Sequence, residues 1–296
     1  MTTIIASGSF DNLRSRHVRI LEEASKLGDL HVLLWSDDLV RRATGQPPKF
    51  PQEERRYLVE AIRYVGKVSL VDEDPSTGSG QALTGFPLNL SGLAVDEADD
   101  TPARRAFCAA HDITYHVFTS ADLAGFPEES GVRSQESGGI PASLDHRATP
   151  SPCHRVTVSP CHRVIVTGCY DWLHSGHVRF FEEAASHGDL IVAAGNDANV
   201  RNLKGEGHPL QTQAERRYMI AAIRYVKLAL VTTGWGWLDA EPEIVRLKPD
   251  IYLVNEDGDK PEKREFCATH GLQYVVLKRT PKEGLPRRSS TDLRGY

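Results

Sequence analysis

One pattern is written twice along this chain, and a repeat of that size restricts the fold to two copies of one unit. Near the start stands Gly8-Ser9-Phe10-Asp11-Asn12-Leu13-Arg14-Ser15-Arg16-His17-Val18-Arg19, and in the second half Gly168-Cys169-Tyr170-Asp171-Trp172-Leu173-His174-Ser175-Gly176-His177-Val178-Arg179. The match continues from Glu22-Glu23-Ala24 to Glu182-Glu183-Ala184, and from Glu54-Arg55-Arg56-Tyr57 to Glu215-Arg216-Arg217-Tyr218. Both copies then reach Ala-Ile-Arg-Tyr-Val, and Phe107-Cys108-Ala109 answers Phe266-Cys267-Ala268. The boundaries this implies are a first domain over 1–130, a Ser/Gly/Pro-rich linker over 131–160 and a second domain over 161–296.

Within each copy short β-branched runs alternate with helical periodicity. In the second copy the pattern predicts strands at Arg163–Thr167, Leu190–Ala194, Lys227–Val231, Ile251–Val254 and Tyr274–Leu277. It predicts helices at Gly176–His187, Gln213–Tyr225, Glu241–Leu247 and Pro261–His270. Such alternation implies right-handed βαβ units, hence an α/β fold of two tandem Rossmann-like domains, each a parallel sheet flanked by helices. Ligands of such sheets bind at the carboxyl ends of the strands, and the His174–His177 segment leaves the end of the first one.

Composition narrows the partners. The 40% hydrophobic and 25% charged residues suit a soluble protein, and a net charge of -5 offers no field to attract nucleic acid. The apolar runs are too short for a membrane span and the N-terminus lacks a signal peptide's basic flank, so the expectation is a cytoplasmic protein without membrane or nucleic-acid partners. Five dispersed cysteines argue against a disulfide framework. The Cys153-His154 and Cys161-His162 pairs lack zinc-ligand spacing and are explained by a small tandem duplication, so no protein metal site is expected.

The chemistry sits in the second copy. His174 and His177, three apart at a helix start, share a face. Gly176 lets an anion approach the backbone, where free N–H groups and the helix dipole favour it. Lys204, expected in a flexible loop, could close over a triphosphate, and Arg279 could do so from the other side. Ser289, Ser290 and Thr291 follow two arginines and resemble a capped helix N-terminus, a second phosphate cradle. Each feature alone has a plain structural reading; together in this order they point to phosphate chemistry.

From Val164 to Arg294 the second copy resembles the cytidylyltransferase-like nucleotidyltransferases. Gly168–His177 is similar to their GxFDxxHxGH signature, with Tyr170 in place of Phe, and Arg279 with Ser289-Ser290-Thr291 is similar to RTxGxSxT, with a longer loop between. The second copy is similar to glycerol-3-phosphate cytidylyltransferases, and the tandem layout to ethanolamine-phosphate cytidylyltransferases. The stretch Asp197–Gly205 looks instead like the adenylyltransferase domain of ADP-heptose synthesis enzymes. The resemblance implies catalytic roles for His174, His177, Lys204 and Arg279. It implies nucleotide contacts from Gly168, Cys169, Tyr170, Gly176, Ser289, Ser290 and Thr291, and substrate contacts from Asp171 and Arg216. It implies CTP or ATP as co-substrate with Mg²⁺, and a small phosphorylated acceptor. Direct displacement at the α-phosphorus by an acceptor phosphate, favouring CMP transfer, leads an ADP-linked product and a sensor that has lost turnover.

The first copy lacks this set. His174 becomes Arg14, Gly176 becomes Arg16, Lys204 becomes Thr44 and Arg279 becomes Ser120, while Arg287-Arg288 becomes Glu128-Glu129. Reversed charge at the cradle repels a triphosphate. The expectation is a non-catalytic domain that forms an intramolecular pair with the second in place of the homodimer that the resemblance implies, with further self-association open.

Overall fold

Aliphatic, β-branched runs buried on both faces make strands that only a parallel sheet covered by helices can accommodate. The computed structural model describes residues 2–74, 90–127, 162–290 and residue 293. In the first half the elements are β1 (Thr3–Gly8), α1 (Ser15–Ser25), β2 (Asp29–Trp35), α2 (Asp37–Thr44), α3 (Gln52–Glu60), β3 (Lys67–Val71), β4 (Leu90–Asp96), α4 (Pro102–Ala110) and β5 (Thr114–Phe118). In the second they are β6 (Arg163–Gly168), α5 (Ser175–Ala185), β7 (Asp189–Ala194), α6 (Asp197–Lys204), α7 (Gln213–Ala221), β8 (Val226–Val231), α8 (Glu241–Leu247), β9 (Ile251–Asn255), α9 (Pro261–His270) and β10 (Gln273–Leu277). No helix among the described residues is long and apolar enough to cross a membrane.

The sheets run β3-β2-β1-β4-β5 and β8-β7-β6-β9-β10, and every pairing is parallel. Both have the same doubly wound order, so the expected pair of Rossmann-like units is present. In each, the chain reverses direction across the sheet beside the first strand, which opens a crevice at the carboxyl ends of β1 and β4, or β6 and β9.

One expectation is corrected. Lys204 does not lie in a loop but ends α6. This helix is short and polar, so it carries little apolar periodicity; it forms because the Asn196 side chain accepts from Asn199 N–H at 2.8 Å and Gly205, at φ 89°, ends it. Residues 278–290, which lead up to Ser289 and Ser290, are turn and irregular chain, and the stretch where those hydroxyls would cap a helix lies outside the described residues. Thr291, the linker and its Cys-His pairs lie outside the described residues.

The halves meet through their repeated motif. Ile62 and Ile223 form an antiparallel bridge, flanked by Arg63 N–H donating to Ala222 O at 2.8 Å and Arg224 N–H to Ala61 O at 2.9 Å. The Arg224 guanidinium donates to Ile62 O and Val65 O at 3.0 and 2.7 Å, and the Arg63 guanidinium donates to Ile223 O and Val226 O in mirror fashion. Tyr57 donates to Glu182 at 2.8 Å and Tyr218 to Glu22 at 2.7 Å, another reciprocal pair. Beneath these contacts one apolar cluster runs through both halves, from Val18, Leu21 and Ile62 to Phe181, Ile220 and Ile223. Each such side chain contributes about 1.5–3 kcal/mol on burial. The reciprocity is that of an isologous interface.

Candidate active site

Strand β6 ends at Gly168, and the next six residues carry the chain across the top of the sheet into α5. Tyr170 takes a left-handed φ of 53°, matched by 46° at Phe10 in the first half. That conformation costs about 1–2 kcal/mol in a residue with a Cβ. Its presence in both halves makes it a property of the turn and not of catalysis. The turn buries the Tyr170 ring against His177 and Phe181, with centroids 5.3 and 5.1 Å apart. Tyr170 is thus the wall that seats a histidine. Cys169 beside it has its thiol pushed up by burial, which keeps it protonated and inert.

His174 caps α5: its Nδ1 accepts from Gly176 N–H at 3.1 Å. An accepting Nδ1 leaves the proton of the neutral ring on Nε2, so this edge of the imidazole is a donor. His177 stacks on His174 at 3.9 Å with the planes 24° apart. Burial drives the His177 pKa well below its ordinary value, and the charges of His174, Arg279 and Lys204 push the same way. Its Nδ1 is buried and has no hydrogen-bond partner. An unmade hydrogen bond of this kind costs about 1–3 kcal/mol.

Gly176 has a different immediate task from the one expected. Its N–H is taken by His174, and a Cβ there would stand 2.9 Å from His174 Cε1 and 3.4 Å from Arg288 O. The glycine makes room for the imidazole and for the crossing chain. Arg279, just beyond β10, donates to Asp257 Oδ2 at 2.9 Å and to Arg288 O at 2.8 Å. A cleft opens here between the start of α5 and residues 278–288, with Gly176, Phe180, Asn255, Arg279 and Arg287 among its lining. Gly176 and Arg279 line this cleft, the stacked His174 and His177 stand at the start of the helix that forms one wall, and the charges of Lys204 and Arg279 reach His177.

Asp171 and Arg216 belong elsewhere. Both carboxylate oxygens of Asp171 accept from backbone: Leu210 N–H at 2.7 and 2.9 Å, and Gln211 N–H at 2.9 Å. The Arg216 guanidinium is fully buried and donates to Gln211 O, Cys169 O, Gly195 O and Asp197 Oδ1 at 2.6–3.1 Å. Four of its five N–H groups are directed to the loops around the crevice, so in this structure both residues brace those loops. The first half repeats the device: Asp11 accepts from Lys49 and Phe50 N–H, and Arg55 donates to Phe50 O, Ser9 O, Trp35 O and Asp37. A copy without the histidine pair still needs its frame, and keeps those residues.

Where the first half departs, the replacements take other partners. Arg16 pairs with Asp96 at 2.9 Å, Thr44 donates to Val40 O at 2.9 Å, and Ser120 donates to Glu97. Arg14 lies over the Trp172 ring of the second half, 3.4 Å from its centroid.

One residue that the sequence did not single out is Glu54. Fully buried on α3 of the first half, it accepts from Ser175 Oγ at 2.7 Å and from the Arg288 guanidinium at 2.8–3.2 Å, both in the second half. Only the mirror position Glu215, which accepts from Ser15 at 2.7 Å, marks it, and that relation is invisible until the halves are paired.

The profile of the cytidylyltransferase-like family matches residues 5–118 and 165–295, taking in both halves. The chain belongs to the cytidylyltransferase-like family. Among curated members it is similar to the bifunctional protein HldE of Campylobacter jejuni, 28% identical over 217 residues, which is 68% of this chain and 44% of that one. The HldE of Pseudomonas fluorescens is 36% identical over 127 residues, 41% of this chain and 24% of its own. That of Aliarcobacter butzleri is 41% identical over 90 residues, 30% and 18% of the two chains. The chain thus spans under half the length of these curated relatives. A solved structure titled as a lipopolysaccharide core biosynthesis protein, from Thermoplasma volcanium, aligns over 42% of this chain and 99% of its own at 24% identity and TM-score 0.35.

Proposed function

We propose that the second half transfers a nucleoside monophosphate from an NTP to a phosphorylated alcohol or sugar. A phosphate oxygen of the acceptor forms a bond to the α-phosphorus, and the bond from that phosphorus to the bridging oxygen of the β-phosphate breaks, releasing pyrophosphate. The observation that carries this reading is the stacked pair His174 and His177 at the mouth of α5, one capping the helix through Nδ1 and the other holding a buried nitrogen without partner. In this reading the two rings receive oxygens of the α- and β-phosphates as charge grows there. Lys204 and Arg279 balance the triphosphate, and Ser289, Ser290 and Thr291 supply hydrogen bonds to the nucleotide. Catalysis is then alignment and charge stabilisation, with no covalent enzyme intermediate.

Among the described residues no group of three or more His, Cys, Asp or Glu could hold a metal ion. In this proposal Mg²⁺ is an ion carried by the nucleotide's own phosphates, since Mg²⁺ keeps several waters and takes few protein ligands.

For the base, CTP leads on the resemblance of the second half to glycerol-3-phosphate cytidylyltransferases. ATP is favoured by one specific stretch, Asp197–Gly205, which resembles the adenylyltransferase domain of ADP-heptose synthesis enzymes and ends α6 on Lys204. The first half, on this account, is a non-catalytic partner that stands where a second subunit would in a homodimer, and the whole acts in the cytoplasm. Calorimetric titration of Mg²⁺-CTP and Mg²⁺-ATP into the protein tests the nucleotide site: one must bind, more weakly in His177→Ala, and silence with both overturns the reading.

A further inference from the structure

The catalytic reading leaves open what holds the two phosphate-binding segments against each other. One runs through His174-Ser175-Gly176-His177 on α5; the other runs from Arg279 to Arg288 beyond β10. They come from opposite ends of the second half, and no described strand or helix joins them directly. A single carboxylate from the first half does.

Glu54 is fully buried, and all the described hydrogen bonds of its carboxylate go to these two segments. Oε1 takes the Ser175 hydroxyl at 2.7 Å. Oε2 takes Arg288 Nη2 at 2.8 Å and Nε at 3.1 Å. From there the contact is passed inward: Arg288 O accepts from Arg279 Nη2 at 2.8 Å, and the same carbonyl lies 3.4 Å from where a Cβ on Gly176 would be. The forked guanidinium defines the angle of the chain as well as its distance. The Phe50 ring, also from the first half, lies 5.2 Å from the Arg288 guanidinium and closes its other face.

The mirror position supplies the contrast. The Glu215 carboxylate takes Ser15 at 2.7 Å and Gln211 of its own half at 3.2 Å, and its charge is felt by Arg14, but no described arginine hydrogen-bonds to it. The pairing of the halves alone therefore accounts for a carboxylate facing a serine. It does not account for the ion pair that Glu54 adds on the side where the histidines stand.

We propose that Glu54 is a positioning residue for the transfer reaction, supplied across the domain interface, which aligns the histidine pair with Arg279 by holding Ser175 and Arg288 on one carboxylate. The first half, without a complete site of its own, completes its neighbour's. This rests on the nucleotidyl-transfer reading above.

The test compares Glu54→Gln, Arg288→Met and their double variant with Ser15→Ala, which removes the mirror contact. Each is measured for pyrophosphate release, for KM of the NTP and for folded fraction by denaturant unfolding. A misaligned site costs about 100-fold in rate. The expected result is a kcat per folded molecule about 100-fold down in Glu54→Gln, with NTP KM moved far less. The double variant should be no worse than the poorer single one, because both act through one contact. Ser15→Ala should keep wild-type kcat. If Glu54→Gln lowers stability but its folded fraction turns over like Ser15→Ala, the contact is structural only and the proposal is overturned. Should Glu54→Gln fail to fold, Arg288→Lys keeps the charge and loses the fork; unchanged kcat there overturns it equally. A wild-type protein that neither binds nor turns over any NTP removes the functional reading itself, an outcome distinct from an active wild type indifferent to Glu54.

Discussion

The ring of His177 lies 3.9 Å from that of His174, so neither can take up a proton without its charge being felt by the other. Burial is the larger influence on His177, and together they hold it neutral well below its ordinary pKa. In the unfolded chain the same residue binds a proton near pH 6.5. Its contribution to stability is therefore complete above that pH and is lost as the pH falls toward the folded value, by about 1.4 kcal/mol per pH unit. Denaturant unfolding at pH 7.5, 6.5 and 5.5 should show wild type losing stability on acidification more steeply than His177→Gln. Parallel slopes would contradict a neutral, buried His177.

Arg216 gives a test of bracing against substrate contact. Removing a buried guanidinium that satisfies three backbone carbonyls and Asp197 leaves those groups unpaired, so Arg216→Ala should lose about 3–5 kcal/mol, and Arg55→Ala a similar amount. Matching losses of unfolding free energy are expected for the two halves. Were Arg216→Ala to fold like wild type and show only a raised acceptor KM, the bracing role would be wrong.

At Gly168 a Cβ would meet the Tyr170 ring at 2.8 Å, and that ring supports His177. Gly168→Ala should displace the aromatic wall and lower kcat by about tenfold or more, since near-attack geometry tolerates little displacement. A variant with unchanged kcat would mean that the ring yields without moving the imidazole.

Across the interface, Arg63→Ala removes donors to Ile223 O and Val226 O. Leaving such acceptors unmatched costs about 1–3 kcal/mol. Because one apolar cluster runs through both halves, unfolding should stay a single transition at a lower midpoint. Two separated transitions in the wild-type protein would contradict the shared core.

Much of the fold was legible in the residues. The β-branched runs marked the strands to within a residue or two, as with Arg163–Gly168 and Ile251–Asn255, because both faces of a parallel sheet demand apolar side chains. The histidine pair was legible for the same kind of reason: three-residue spacing at a helix start forces the two rings together. Helix α6 was not, since eight mostly polar residues gain their order from Asn196 and Gly205 more than from an apolar face. Arg216 shows a different limit. An arginine on an otherwise amphipathic helix carries no mark of whether its guanidinium turns out to a ligand or in to three carbonyls. Glu54 lies 121 positions from Ser175, and only the pairing of the halves brings them together.

The central claim is that the second half turns over an NTP through the histidine pair. Pyrophosphate release, measured with each of the four NTPs against a panel of phosphorylated alcohols and sugars, tests it most directly, with His177→Ala as control. The account predicts release with one NTP and one class of acceptor, abolished in the control while the variant remains folded. Release that survives in His177→Ala, or a wild-type protein that neither releases pyrophosphate nor binds any NTP, would contradict it.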